Sequence, residues 1–190
     1  NTILGFPNED WKPWRCPWGQ EVLMSGHFQA VERPDGGYAF PRGDAAAGPS
    51  VLMPAGGWFF DSLIRQQPLD EDHLDPADNL EELKPMDAGE VAYWQAEAGR
   101  LRGSGRAVIT HLNGTGLGDI ALVPAPFLAR PRGIRDVAGW YMATVEHADY
   151  VAEVFARQTE IALGNLATLH AAVGDVIDVV VVCGTDFGTQ

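Results

Sequence analysis

Apolar positions follow two regimes along this chain. From residue 87 onward they keep clean periods. Asp87 is placed to cap a helix, Glu90 stands three residues on as a capping box requires, and Val91, Trp94, Ala98 and Leu101 form an apolar stripe. Gly103 suits the position just past that helix. Ala107-Val108-Ile109-Thr110-His111-Leu112 reads as a strand, with Val108, Thr110 and Leu112 on one face and Ala107, Ile109 and His111 on the other. It runs into Asn113-Gly114-Thr115-Gly116-Leu117-Gly118-Asp119, a glycine-rich stretch read as a flexible loop, and then a long segment with Pro124, Pro126 and Pro131. A short helix is predicted over Val137–Val145, capped by Asp136. A long one is predicted from about Tyr150 to Val173, with Val151, Val154, Phe155, Ala162, Leu166, Leu169 and Val173 along one face and Gly174 at its end. Val176–Val182 is then a strand apolar on both faces, the pattern of a parallel strand covered by helices.

Before residue 66 the periods shorten. Glu21–Met24 and His27–Val31 read as short strands, and Asp35-Gly36-Gly37 is a turn signal ahead of Tyr38-Ala39-Phe40. This predicts an antiparallel hairpin layer. Residues 66–86 form an acidic connection punctuated by Pro68, Pro76 and Pro85. Strand, helix, strand in the later half is a βαβ unit with an expected right-handed crossover. Behind a hairpin-rich front it predicts an α/β domain, with barrel and doubly wound arrangements both open.

Composition narrows the function classes. The 190 residues are 46% hydrophobic and 21% charged, the balance of an ordinary globular chain. Thirteen basic against twenty-six acidic residues leave a net charge of −13, which repels phosphate backbones and anionic headgroups and argues against nucleic-acid and membrane-surface roles. The longest apolar stretch, Val179–Cys183, is far too short to span a bilayer. Sparse cysteine, Cys16 and Cys183 only, suits a reducing cytosol and makes a cytoplasmic location the default, with one disulfide between them left open. The chain opens on Asn1-Thr2-Ile3 without initiator Met or signal-peptide pattern, and stops just after its most apolar run; both ends read as truncations.

Ligands of parallel α/β folds collect beyond the carboxyl ends of the strands, so chemistry is sought there. The first such end offers His111, Asn113 and Asp119; the second offers Cys183, Thr185, Asp186 and Gln190. Asp186, a carboxylate just past a run of valines, suits a proton acceptor, a hydrogen-bond acceptor for a substrate N–H, or a turn-forming cap. His111 suits a catalytic or ligand-binding role, or a hydrogen-bonded interior histidine. The glycine run fails G-x-G-x-x-G, because Asp119 stands where the third glycine belongs. Five histidines and two cysteines show no metal-ligand spacing, so no metal is expected within these residues. Trp11, Trp14, Trp18, Trp58, Phe59 and Phe60 suit either the lining of a flat-ligand pocket or the packing of a hairpin layer.

Several segments together carry a resemblance: Asp10-Trp11-Lys12-Pro13-Trp14, Trp18-Gly19, Asp35-Gly36-Gly37-Tyr38, Met53 to Asp61, Gly174 to Asp178, and the terminal Gly184-Thr185-Asp186-Phe187-Gly188-Thr189-Gln190. They look like the uroporphyrinogen decarboxylase superfamily, in a branch related to corrinoid-dependent methyltransferases. The resemblance implies part of a (β/α)8 TIM-type barrel behind the hairpin-rich layer, with its site at the carboxyl ends of the strands; by that strand-end position Asp186 and His111 are the expected catalytic residues and Asn113, Asp119, Thr185 and Gln190 the expected substrate-binding ones. It implies a methyltransferase-type enzyme acting with a corrinoid or a thiol acceptor. The alternatives are cofactor-free decarboxylation of uroporphyrinogen in porphyrin biosynthesis, or a non-catalytic protein binding a tetrapyrrole or corrinoid. No cofactor is implied within these residues; the zinc of the methyltransferases would be held by a His-x-Cys and a later Cys downstream of Gln190. The amino-terminal arginines of the decarboxylases would lie upstream of Asn1, and no tyrosine after Asp119 clearly matches theirs.

Overall fold

Short strands crowd the first third of the molecule, and long helices cover a parallel sheet in the rest. The computed structural model describes residues 2–4, 11–26, 28–41, 48–117 and 119–184. In the front, β2 (Trp11–Arg15) and β3 (Glu21–Ser25) form an antiparallel hairpin. A four-stranded antiparallel sheet follows in sequence order: β4 (Val31–Glu32), β5 (Tyr38–Pro41), β6 (Pro49–Met53) and β7 (Asp61–Ser62). The Asp35-Gly36-Gly37 turn forms between β4 and β5, with Gly36 at φ +78 and the Gly37 N–H donating to Asp35 Oδ1 at 2.9 Å. The strand expected over His27–Val31 shrinks to Val31–Glu32, and His27 lies outside the described residues.

Beyond the acidic connection, α1 (Ala88–Leu101) starts with its capping box complete: Asp87 accepts from the Glu90 N–H, and the Asp87 N–H donates to the Glu90 carboxylate. The helices α2 (Val137–Glu146) and α3 (Ala148–Val173) are capped by Asp136 and closed by Gly174 as their sequence predicts. The parallel sheet has the order β1 (Thr2–Leu4), β8 (Val108–Gly116), β9 (Val179–Cys183), so β8 is central. Its register sets Ile109 beside Val179 and His111 beside Val181.

One face of this sheet carries the core. Val108 and Leu112 of β8 pack with Trp94, Ala98 and Leu101 of α1 and with Leu169 and Val173 of α3. On the other face, among the described residues, His111 and Val179 are exposed and Ile109 and Val181 are half-buried. None of the three sheets closes into a barrel among the described residues. Nor is any described helix long and apolar enough to cross a membrane.

Three sequence expectations shift here. The glycine stretch is not a loop at its start: β8 continues to Gly116, which pairs with Cys183 across a register shift. Glycine is required at 114, where φ is +95 and a Cβ would come within 3.0 Å of Ala162 on α3. Secondly, β9 begins at Val179, not Val176, because Gly174–Val176 form a 3-10 turn and Asp178 pins the chain: the Asp178 carboxylate accepts from the Val108 N–H at 2.8 Å, and the Asp178 N–H donates to the Val108 carbonyl. Nor is β9 covered on both sides, since Val179 and Val182 are exposed. Thirdly, the buried stripe of α3 contains Gln158 and Asn165, while Leu166 faces solvent.

A second core, built of Leu80, Ile134, Trp140, Tyr150, Val151 and their neighbours, joins the acidic connection to α2 and α3. Charge is buried beside it. Arg135, 1% exposed, grips both Glu82 oxygens at 2.9 and 3.1 Å and donates to the Asp78 carbonyl, so no guanidinium charge is left uncompensated.

Candidate functional site

The carboxyl ends of β8 and β9 meet through their backbones and one side-chain pair. Gly184 follows β9 at φ +146, so close to the Leu117 carbonyl that any Cβ there would overlap it. Beside this contact the Cys183 thiol donates to Asp119 Oδ2 at 3.3 Å. Asp119 Oδ1 accepts from the Ala121 N–H at 3.1 Å and caps the 3-10 turn Ile120–Leu122. Strand pairing thus brings a thiol and a carboxylate, 64 residues apart in sequence, to one strand-end corner.

The sequence-derived site residues separate into three groups. Asp119 sits at the corner just described. His111 sits on the sheet face opposite the helices, three residues into β8, and is exposed; the interior-histidine reading therefore fails. Asn113 serves the scaffold: its Nδ2 reaches the Glu82 carbonyl at 3.5 Å, and its own carbonyl accepts from Asn165 Nδ2 at 3.2 Å. Thr185, Asp186 and Gln190 lie outside the described residues.

Behind the corner, a cavity of about 80 Å³ opens between the 116–128 segment and the two later helices. Asp119, Leu122 and Phe127 stand on its connecting-segment side, and Trp140, Phe155 and Gln158 on its helical side. Gln158 reaches back to hold the Gly114 carbonyl at 3.1 Å. Asn165 does more. Its side chain accepts from the Met86 N–H at 2.7 Å and donates to the carbonyls of Lys84 and Asn113, so one amide fixes α3 to the start of α1 and the end of β8. These residues escaped the search for reactive types, yet the sequence carries a signal. Gln158 and Asn165 stand seven and fourteen residues after Val151, within the apolar stripe of α3 where polar side chains need buried partners.

Electrostatics around the cavity come from the Arg132–Arg135 stretch. Partial burial works against ionisation of Glu81, but hydrogen bonds from the Arg132 backbone and guanidinium prevail and hold its carboxyl below the usual range. Tyr150 donates to Asn79 Oδ1 at 2.6 Å; burial, reinforced by the nearby Asp78 carboxylate, pushes its phenol up to about 12. Among the described residues no group of three or more His, Cys, Asp or Glu side chains is placed to hold a metal ion. Both cysteines are free, so the disulfide left open by the sequence is not formed.

No family model, no curated protein and no solved structure matches this chain.

Proposed function

We propose that this chain forms a wall of a (β/α) barrel enzyme of the uroporphyrinogen decarboxylase type, from its methyltransferase-like branch. The observation that supports the reading best is the parallel sheet itself. Its strands lie in sequence order, helices cover one face, and on the other face His111 and Val179 are exposed among the described residues. A doubly wound sheet carries helices on both faces, whereas a barrel wall carries them only outside. The motif residues quoted above add support, because Thr185, Asp186 and Gln190 follow directly on the β9 strand end.

In this reading the substrate is a corrinoid or tetrapyrrole meeting the strand ends, with a thiol as methyl acceptor. A thiol must lose its proton as its sulfur takes up the methyl group. Asp186 and His111 are the residues assigned to receive it, and Asp119, Thr185 and Gln190 to orient the ligand, while Asn113 holds the end of β8 in place. The zinc that such chemistry would employ finds no ligand set among the described residues.

The test is methyl transfer from methylcobalamin to a small thiol by the protein that contains this chain, followed by the visible spectrum of the corrinoid. Turnover is expected, with Asp186→Asn slowing it on the order of a hundredfold at an unchanged melting temperature. Release of carbon dioxide from uroporphyrinogen without methyl transfer would replace this reading with decarboxylation. Saturable corrinoid binding without turnover would replace it with a binding role. An Asp186→Asn protein that unfolds, with activity per folded molecule intact, would make Asp186 a structural cap.

A further inference from the structure

Helix α2 is apolar on every side. Of its ten residues only the last, Glu146, is charged, and it buries Trp140 and Ala143 in the second core. A helix apolar all round is ordinarily covered all round. Here Tyr141, Met142 and Val145 face solvent, at 40%, 56% and 82% exposure. Met142 and Val145 stand three residues apart, so they share one stripe of the helix.

That stripe borders a groove. A depression of about 650 Å³ lies between the 3-10 turn Glu71–His73, the end of α2 and the first turns of α3, with Leu74, Val145 and Tyr150 among its walls. A smaller one of about 140 Å³ adjoins it, adds Leu69 and Met142, and shares Leu74, Glu146 and His147 with the first. Together they make one continuous trough along α2.

Charge on the rim selects the occupant. Glu71, Asp72, Glu146 and Asp149 line the larger depression and are exposed. Among the described residues none of these four pairs with a basic side chain, whereas Asp70 and Glu153 close by are paired with His73 and Arg157. Four uncompensated carboxylates around an apolar floor complement a chain that carries cations and apolar side chains together. They repel nucleic acid and anionic membrane surfaces. A second copy of this chain brings the same net charge of −13 and would meet the rim with like charge.

We propose that this trough is a docking surface for a basic amphipathic segment of a partner protein. Its apolar side chains cover Met142, Val145 and Leu74, and its lysines or arginines face Glu71, Asp72, Glu146 and Asp149. This is recognition of an amphipathic helix by a groove. The apolar cover supplies affinity, and the acidic rim speeds the encounter and rejects acidic competitors. The surface does not depend on the methyltransferase reading.

The probe is a fluorescein-labelled synthetic helix of Leu and Lys, with a counterpart in which every Lys is replaced by Glu. Fluorescence anisotropy is read against the protein that contains this chain. Expected is saturable micromolar binding of the Leu/Lys helix and none of the Leu/Glu helix. Met142→Ser combined with Val145→Ser should weaken binding on the order of tenfold. Glu146→Gln combined with Asp149→Asn should weaken it on the order of tenfold at low salt and less at high salt. All four positions are exposed, and thermal melts check that each variant keeps its fold. As a control, Glu160→Gln combined with Asp175→Asn, exposed carboxylates outside the trough, should leave binding unchanged. Absence of saturable binding, equal binding of the two helices, or an equal loss in the control pair would overturn the proposal. So would a dimer in sedimentation that Val145→Ser converts to monomer, which would make a second copy the occupant.

Discussion

In the hairpin layer, Trp14 meets Phe28 at 5.1 Å between ring centroids, Tyr38 at 6.2 Å and Phe60 at 6.5 Å, and Trp18 stacks on Trp58 at 4.8 Å. These contacts link strands of two to five residues, each too short to hold itself together, and Trp58 and Phe59 remain exposed. The βαβ unit is built differently. Its aliphatic core is buried, α1 and α2 carry their own aspartate caps, and Asn165, Gln158 and Arg135 bind separate segments through hydrogen bonds away from solvent. One region depends on rings finding each other across sheets; the other on local signals reinforced by a few buried polar groups.

That contrast is open to direct tests. The largest expected effect is at Arg135. Arg135→Ala strands Glu82 beside a core and should cost about 3 kcal/mol, read as a lower urea midpoint. Amide exchange should quicken around residues 75–83 and 129–136 while the hairpins stay as they were; faster exchange in the hairpins would show that the two regions share one cooperative unit.

Next in size is an alkaline effect. The Tyr150 phenol titrates near 12 when folded and near 10 when unfolded, so its neutral form favours the folded state. That contribution is complete below pH 10 and is lost as pH rises from about 10 to about 12, on the order of 2 kcal/mol in all. Denaturant midpoints measured through this window should fall, and Tyr150→Phe should flatten the slope.

A pair of matched substitutions sharpens the comparison further. Gly19 and Gly114 both hold positive φ, but a Cβ at 19 meets nothing whereas one at 114 meets Ala162. Gly19→Ala should cost about 1 kcal/mol and Gly114→Ala about 2 kcal/mol, and equal costs would mean that the approach of α3 to β8 is not tight. Smallest is the cap: Asp87→Ala should cost about 1 kcal/mol, confined to α1 by amide exchange.

The same contrast explains what could be read in the chain before its fold was known. The starts of α1 at Asp87 and α2 at Asp136 and the end of α3 at Gly174 depend on nearby residues, and those residues announced them; the strand, helix, strand order announced the parallel pairing of β8 with β9. The extent of β8 did not follow, because glycines 114 and 116 signal turns locally while their actual use is to admit Ala162 and Leu122. β4 lost its expected length because its pairing is settled across the sheet rather than along the chain. At the site, reactive residue types pointed to Asp119 and to His111, but the corner with Cys183 and the cavity near Trp140 arise from long-range contacts that no spacing rule contains.

Asn165 has a consequence for the order in which the chain folds. Its three hydrogen bonds close intervals of 79, 81 and 52 residues, to Met86, Lys84 and Asn113. Closing such intervals costs chain entropy before any contact repays it, so these bonds belong late in folding, after the single turns of α3 have formed. An Asn165→Ala chain should therefore reach its transition state at nearly the normal rate and leave the native state faster. The amide that ties three segments together acts as a latch on escape.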